Sequence, residues 1–505
     1  MRFYRTMALI ACCAVLFMTG ALAESEQYTM AGYDSTDTGH VWDDNLFFQR
    51  MESITGVSFS FQQFTDSEEW HRELNRYGSA SDLPDVLFKA DLTTAETQKL
   101  YEQGTIIDLR PYMEDNAPNL YKLLKSNNDW EEAISLPDGA IVSLPTINPL
   151  QSNNIIWMNQ TWLNRLGLEM PKDADSFTEV LRAFKTGDPN RNGKQDEIPL
   201  TFTSLWDLRF LAHAFGFIGN DYYLEVTDNG SLLCDITDNR YRDFLSWLHV
   251  LWEENLIDHN GFSSMDTTRQ ITDNKATIPY GCVFGPTALN MLPASATGDY
   301  VVLMPLQYDG RMVYRSLLGD IARGTFAITS ACKAPEQIMK WVDYLYTEEG
   351  CFLASAGQIE DEYERTSDGS WYWVDDIQTV QDSVMKDATI ADGTAMPLYL
   401  PESYQLQFDD EQTHQAVEQI CELNHVSRLS YPLIYLSESQ REQLTKIWPE
   451  LGTYAETQMT WFITGDAELT DETWAEFQET LIEKGINTVC DIFESALEQR
   501  WTVNE

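Results

Sequence analysis

Basic residues are scarce in this chain. Lys and Arg total 33 against 80 Asp and Glu, a net charge of −47. That deficit excludes the basic patches needed by nucleic-acid binders and by proteins docked on anionic lipid. The acidic residues are spread along the chain, so they read as the solubility charge of an exported protein and not as an acidic tail. Long apolar runs are missing beyond the first two dozen residues. No later segment reaches the roughly 18 uncharged apolar residues of a membrane span. Cysteine pairs at short spacing are missing too. Two of the eight Cys lie in the N-terminal segment, and Cys234, Cys282, Cys332, Cys351, Cys421 and Cys490 are scattered. They form no CxxC pair and no metal spacing. A chain of this size needs no staples, so most read as buried small hydrophobes. One or two disulfides are compatible with export, but the sequence does not pair them. There is no GxSxG, no HExxH and no phosphate loop. The seven His are dispersed, and His213 reads as a partner of the local fold. Internal repeats and low-complexity linkers are absent.

What is present is an ordinary globular composition with an export segment. Hydrophobic residues make up 43% and aromatics 12% of 505 residues, enough for two or three domains with a large core. Arg2 and Arg5 precede an uncharged apolar stretch, Met7–Leu22, and Ala21-Leu22-Ala23 is a small-x-small cleavage signal. This predicts a signal peptide over residues 1–23. Leu9-Ile10-Ala11-Cys12 resembles a lipidation box, and an anchor at Cys12 ranks second because cleavage there leaves a very short apolar core. Helix-like and strand-like segments alternate, which predicts an α/β architecture. Strands are expected at Val57–Phe61, Asp85–Phe88, Ile155–Met158, Tyr300–Pro305 and Gly324–Thr329. Helices are expected at Trp42–Gly56, Thr93–Gln103, Ser176–Thr186 and Tyr241–Asn255, with a late helical block containing Glu438–Ile447, Leu451–Phe462 and Asp471–Lys484. Asp138-Gly139 between two apolar stretches predicts a hairpin.

Residues Asp188–Leu200, DPNRNGKQDEIPL, carry the most specific chemistry. Oxygen-bearing side chains stand at Asp188, Asn190 and Asn192, every second position, and Gly193 follows. A hard divalent cation such as Ca²⁺ takes six to eight oxygen ligands, which an alternating loop with Gly at its sixth position supplies. Lys194 offers only its carbonyl, and Asp196 and Glu197 complete the set. The loop departs from an EF-hand, because Pro199 occupies position twelve and the acidic closure falls at positions nine and ten. That argues against an EF-hand pair and a sensor role. The competing reading is a solvated Asp-Pro-Asn turn.

The loop resembles the calcium loop of alginate-oligosaccharide-binding proteins and their lipoprotein relatives, family 1 extracellular solute-binding proteins of ABC importers. Ala80-Ser81-Asp82-Leu83-Pro84-Asp85-Val86 is similar to the family's Leu-Pro-Asp turn, with local departures at Ala80 and Ser81. Gly104–Leu109, Ala117-Pro118-Asn119-Leu120, Trp157-Met158-Asn159, Trp162–Leu168, Ala183–Gly187 and Ala496–Trp501 continue the likeness over nearly all of the mature chain, while Gly357–Glu364 is weaker. The resemblance implies two α/β lobes of the type II binding-protein fold, joined by crossing strands, with ligand in the cleft and closure by a hinge. The lobes are expected at 24–147 with 302–375, and at 148–301 with 376–505. It also implies a structural calcium ion outside the cleft, permease subunits as partners, a monomer, and no catalysis.

A sugar cleft needs aromatic platforms together with carboxylates, amides and Arg. Trp162, Trp247, Trp252 and Trp341 lie in helical segments and are assigned to packing. Trp157, Trp206, Tyr280, Trp371, Trp373 and Tyr399, in turns or strand ends, are the platform candidates; Asp85, Asn159, Asp207, Asp320 and Arg323 are the polar candidates. A neutral or modified oligosaccharide is favoured over an alginate-type polyanion because of the acidity of the chain. A secreted glycoside hydrolase, or a sensor or peptide-binding protein on the same two lobes, are the rival readings.

Overall fold

Two short apolar stretches, Met30-Ala31 and Val86–Phe88, pair in parallel, and a third strand runs the other way along the far side of Val86–Phe88. Met30 sits opposite Val86, and Val86 opposite Ile328; Ala31 sits opposite Leu87, and Leu87 opposite Ala327. Met30, Val86 and Ile328 therefore share one face and Ala31, Leu87 and Ala327 the other. Both faces are covered, each by its own hydrophobic cluster, which is why these strands do not alternate in polarity. The complete sheet has six strands, in the order Leu398–Tyr399, Leu144–Ile147, Ile321–Ile328, Val86–Phe88, Glu26–Tyr33 and Val57–Phe64.

The computed structural model describes residues 26–150, 153–262, 278–288, 291–317, 321–367, 369–405 and 411–503. The expected signal peptide, the Cys12 motif and Asp320 lie outside the described residues.

A second sheet holds Tyr300–Val302, Ile155–Asn159, Tyr280–Gly285 and Ile198–Leu200, the last pair parallel and the others antiparallel. One cluster covers it. Leu163, Phe184, Leu245 and Leu251 join Leu451, Phe462, Phe477 and Val489 in this cluster. The late helices thus cap the second lobe and form no core of their own.

Lobe membership follows the two cores. Leu303, Leu306 and Tyr314 pack in the second core, so the return crossing comes after Ser316 and not at 302. Ile390, Met396 and Leu398 pack in the first, so the last departure comes after Gln405 and not at 375. The chain then touches the first lobe once more. Tyr435 is buried among Trp70, Leu74, Leu92 and Leu136.

Three local expectations are corrected. Asp138-Gly139 does make a tight turn, with Gly139 N donating to the Leu136 carbonyl and Leu136 N to that of Ala140. No ladder follows, because Ala133 and Ile134 complete the helix Asn128–Ile134. The first helix begins at Leu46 because Asn45 caps it, its side chain accepting from Phe47 N. Glu438–Thr464 is a single helix through Pro449, held by a continuous buried stripe of Leu444, Leu451, Ala455 and Met459.

Candidate functional site

The cation loop is delivered by the helix Ala174–Thr186. A capping box of Asp173 and Ser176 starts this helix, and Phe177, Val180, Leu181 and Phe184 bury one face of it. Positive φ at Asp188, Arg191 and Gly193 then coils the chain tightly. Asp188 Oδ1 accepts from Asn192 N at 3.0 Å, and Asn190 Oδ1 accepts from the same amide at 3.0 Å. The Asn190 and Asn192 amides donate to Asp196 Oδ1 at 3.2 and 2.8 Å and hold its pKa below the usual range. Lys194 N donates to Asn192 Oδ1 at 2.7 Å. Arg165 fixes the outer turn through the Pro189 carbonyl at 2.7 Å.

Glu197 is the exception. It is only 7% exposed, and neither carboxylate oxygen has a hydrogen-bond partner. Burial raises its pKa, and the Asp196 and Asp188 charges raise it further. A buried, unpaired carboxylate beside two others is costly unless something positive stands among them. The residues therefore fit a hard cation. Among the described residues no three His, Cys, Asp or Glu side chains stand close enough to hold an ion alone. A cation held here would need the Asn oxygens and a carbonyl beside the carboxylates.

Between the lobes lie two cavities, one on each side of the segment Leu429–Ile434. The cavity of about 520 Å³ lies beside Thr94, which opens the helix following the strand Val86–Phe88. It thus faces the carboxyl end of the first sheet, where open α/β folds bind ligands. Its second-lobe wall is aromatic. Tyr222 packs on Trp448 at 4.6 Å and on Phe493 at 4.9 Å. Beside them Asp221 accepts from Arg315 at 2.6 Å and from Trp206 Nε1 at 3.2 Å. Burial raises the Asp221 pKa, but the Arg315 charge and hydrogen bond, the Arg209 charge and the Trp206 hydrogen bond together bring it below the usual carboxylate value. The first-lobe wall supplies Arg323, whose guanidinium lies 4.4 Å over the Tyr435 ring and donates to the Ala133 carbonyl at 3.2 Å. Arg441 reaches across from the second lobe to Gln98 and to the Leu436 carbonyl.

The other cavity, about 570 Å³, is bounded by Trp130, Asn127, Asn424 and Arg428. It is larger, but it lies away from the Thr94 helix end, and the smaller cavity is the better candidate.

The sequence candidates divide sharply. Arg323 lines the candidate cavity, and Trp206 touches it through Asp221. Trp157 is core, 2% exposed with Nε1 on the Gly285 carbonyl. Tyr280 is core as well, at 7%. Asn159 caps the helix Gln160–Leu166. Asp207 ties Asn154 and Thr203 together. Asp85 precedes the strand Val86–Phe88 at the sheet's other end, where it accepts from Thr29 N and Oγ1 at 2.8 Å. Trp371 is buried against Phe352 and Tyr404, with half-buried Trp373 on its edge. Tyr399 packs on the first core. Sequence reasoning missed Asp221, Tyr222, Arg315, Arg441 and Trp448. Arg315 lies in the short buried strand Tyr314–Ser316, and nothing in that sequence marked it as a cleft residue.

No family model matches the chain. The fructooligosaccharide ABC transporter substrate-binding protein FusA of Streptococcus pneumoniae is 31% identical over 317 residues, 60% of this chain and 58% of that protein. The Bacillus subtilis lipoprotein LipO is 29% identical over 227 residues, 43% of this chain and 42% of that protein. Of these two relatives FusA is, by its name, a substrate-binding protein of an ABC transporter. The chain spans about half the length of the curated relatives it matches. Solved structures agree on the fold. An HMO binding ABC-transporter associated solute binding protein from Bifidobacterium longum infantis matches with a TM-score of 0.77 at 18% identity, covering 94% of this chain and 99% of that one. An EF-hand mutant of FusA in complex with fructo-nystose matches at 0.66 and 23%, over 94% and 99%. The alginate-binding protein AlgQ2, solved without calcium ion, matches at 0.62 and 19%, over 94% and 98%. The fold is the two-lobed α/β fold of these binding proteins.

Proposed function

We propose that this chain is the solute-capturing component of an ABC importer, and that it holds an oligosaccharide between its lobes. The observation that carries the reading is a cleft walled from both sides. Tyr222 and Trp448 offer flat apolar faces from one lobe, and Arg323 comes from the other. Aromatic faces take the C–H side of a sugar, and the polar groups around them take its hydroxyls. FusA, by its name, binds fructooligosaccharides, which supports this ligand class. The glycosidase reading is disfavoured. It needs two working carboxylates, whereas Asp221 is the single acid among the described lining residues and is spent on Arg315.

Capture follows from the geometry. A sugar entering the open cleft stacks on the Tyr222 and Trp448 side, and contact with Arg323 draws the first lobe onto it. The closed form is favoured only by the contacts that both lobes make. The loop at Asp188–Glu197 holds calcium through Asp188, Asn190, Asn192, the Lys194 carbonyl, Asp196 and Glu197. With calcium bound, the buried Glu197 would have a counter-charge and the loop would be held against the strand Ile198–Leu200. Among the described residues no helix is long and apolar enough to cross a membrane. Export and delivery to membrane permease subunits, by a monomer, complete the proposal.

Calorimetric titration with kestose, longer fructooligosaccharides, milk oligosaccharides and oligogalacturonates tests it. Saturable one-to-one binding without sugar release is expected. Release of shorter sugars, or no binding across the set, overturns it.

A further inference from the structure

The chain carries −47 overall, yet the candidate cleft has the opposite sign. The charged residues lining it, among those described, are Asp221, Arg315, Arg323 and Arg441. Asp221 and Arg315 cancel in a 2.6 Å pair. Three Arg less one Asp leaves an excess of two positive charges. Arg323 and Arg441 come from opposite lobes, and among the described residues neither has a carboxylate partner. Arg323 donates to the Ala133 carbonyl and Arg441 to the Leu436 carbonyl and the Gln98 amide, all of them neutral. A protein this short of basic residues has placed two guanidiniums, neither with a carboxylate partner among the described residues, in the lining of one cleft.

We infer that the cleft selects an acidic oligosaccharide, with Arg323 and Arg441 reading a sugar carboxylate from its two sides. This rests on the proposed role as an oligosaccharide binder and overturns the expectation, drawn from net charge, of a neutral ligand. Net charge is a property of the whole surface, whereas a bound carboxylate meets the groups within a few ångströms. A guanidinium offers a planar fork of donors matched to a carboxylate, and bonds between two charged groups are about twice as strong as neutral ones. Closure brings the two Arg together only if an anion lies between them, so the same pair couples ligand charge to lobe closure.

The test uses the full mature chain and two ligand sets, oligogalacturonates and the same oligosaccharides with their carboxyls reduced to alcohols. The acidic set is expected to bind at least about tenfold more tightly, the effect of one charge-assisted contact. Arg323→Met and Arg441→Met, checked for unchanged melting temperature, should each lower the ratio of acidic-set to reduced-set affinity toward one. Equal binding of both sets, or preference for the reduced set, overturns the inference while the binder reading stands. Binding of neither set, when kestose binds, overturns the inference alone. Binding of no sugar at all removes both.

Discussion

Glu197→Gln gives the calcium loop a prediction whose sign depends on the ion. In the calcium-free chain, Glu197 is a buried carboxylate with no hydrogen-bond partner and with Asp196 and Asp188 beside it. An unsatisfied buried group costs about 1–3 kcal/mol, more when charged. The neutral amide relieves part of this, so the calcium-free variant should be the more stable of the two. With calcium the order reverses. The wild-type protein gains about 2.7 kcal/mol when calcium is a hundredfold above its dissociation constant. At roughly 2–4 °C per kcal/mol for a unit of this size, that is a rise of about 5–11 °C. The variant lacks one carboxylate ligand and gains less. Differential scanning fluorimetry at neutral pH, in chelator and in calcium, reads all four states. Identical wild-type melting in chelator and calcium, or a Gln variant less stable in both, would refute the reasoning.

Other consequences are equally direct. Trp448→Ala should weaken sugar binding about tenfold or more with little loss of stability, while Trp157→Ala should lose about 3–5 kcal/mol as a core truncation; titration and denaturant melts separate the two. Lys89→Met leaves Asp34 buried without its 2.9 Å ion partner, so a loss of about 3–5 kcal/mol is expected in urea melts. His213 is buried neutral, its Nε2 accepting from Leu306 N at 2.8 Å and its Nδ1 facing the Phe210 carbonyl, and burial pulls its pKa down to about 4. Between the ordinary value near 6.5 and 4, the unfolded chain takes a proton that the folded chain refuses. Stability should therefore fall as pH drops through that window, by about 3 kcal/mol at pH 4. His213→Gln should flatten that slope, and an unchanged slope contradicts the assignment.

Much of the fold was legible because it rests on local signals. The apolar run Val86–Phe88 and the helices Thr94–Glu102 and Asn239–Glu253 are each specified within a few residues. The cation loop was legible for the same reason, since all its candidate ligands fall within ten residues. The cleft was not. Asp221, Arg315, Arg323 and Trp448 meet only after the chain has crossed between lobes, and nothing local in Trp448, inside a helix, separates it from core Trp341. Strand-end aromatics such as Trp157 and Tyr280 looked available, yet cross-strand packing and the Gly285 carbonyl consumed them. The lobe boundaries moved for a similar reason, because Tyr314 and Leu398 join their cores through long-range pairing.

The central claim is that a carbohydrate sits between the lobes, against Tyr222 and Trp448 on one side and Arg323 on the other. A crystal structure of the mature chain grown with the oligosaccharide that titration selects tests it most directly. The account predicts a sugar ring within van der Waals contact of Tyr222 or Trp448 and a polar group of the ligand on Arg323. Sugar seated instead in the cavity beside Trp130 and Asn424, or on an outer face of either lobe, would contradict it.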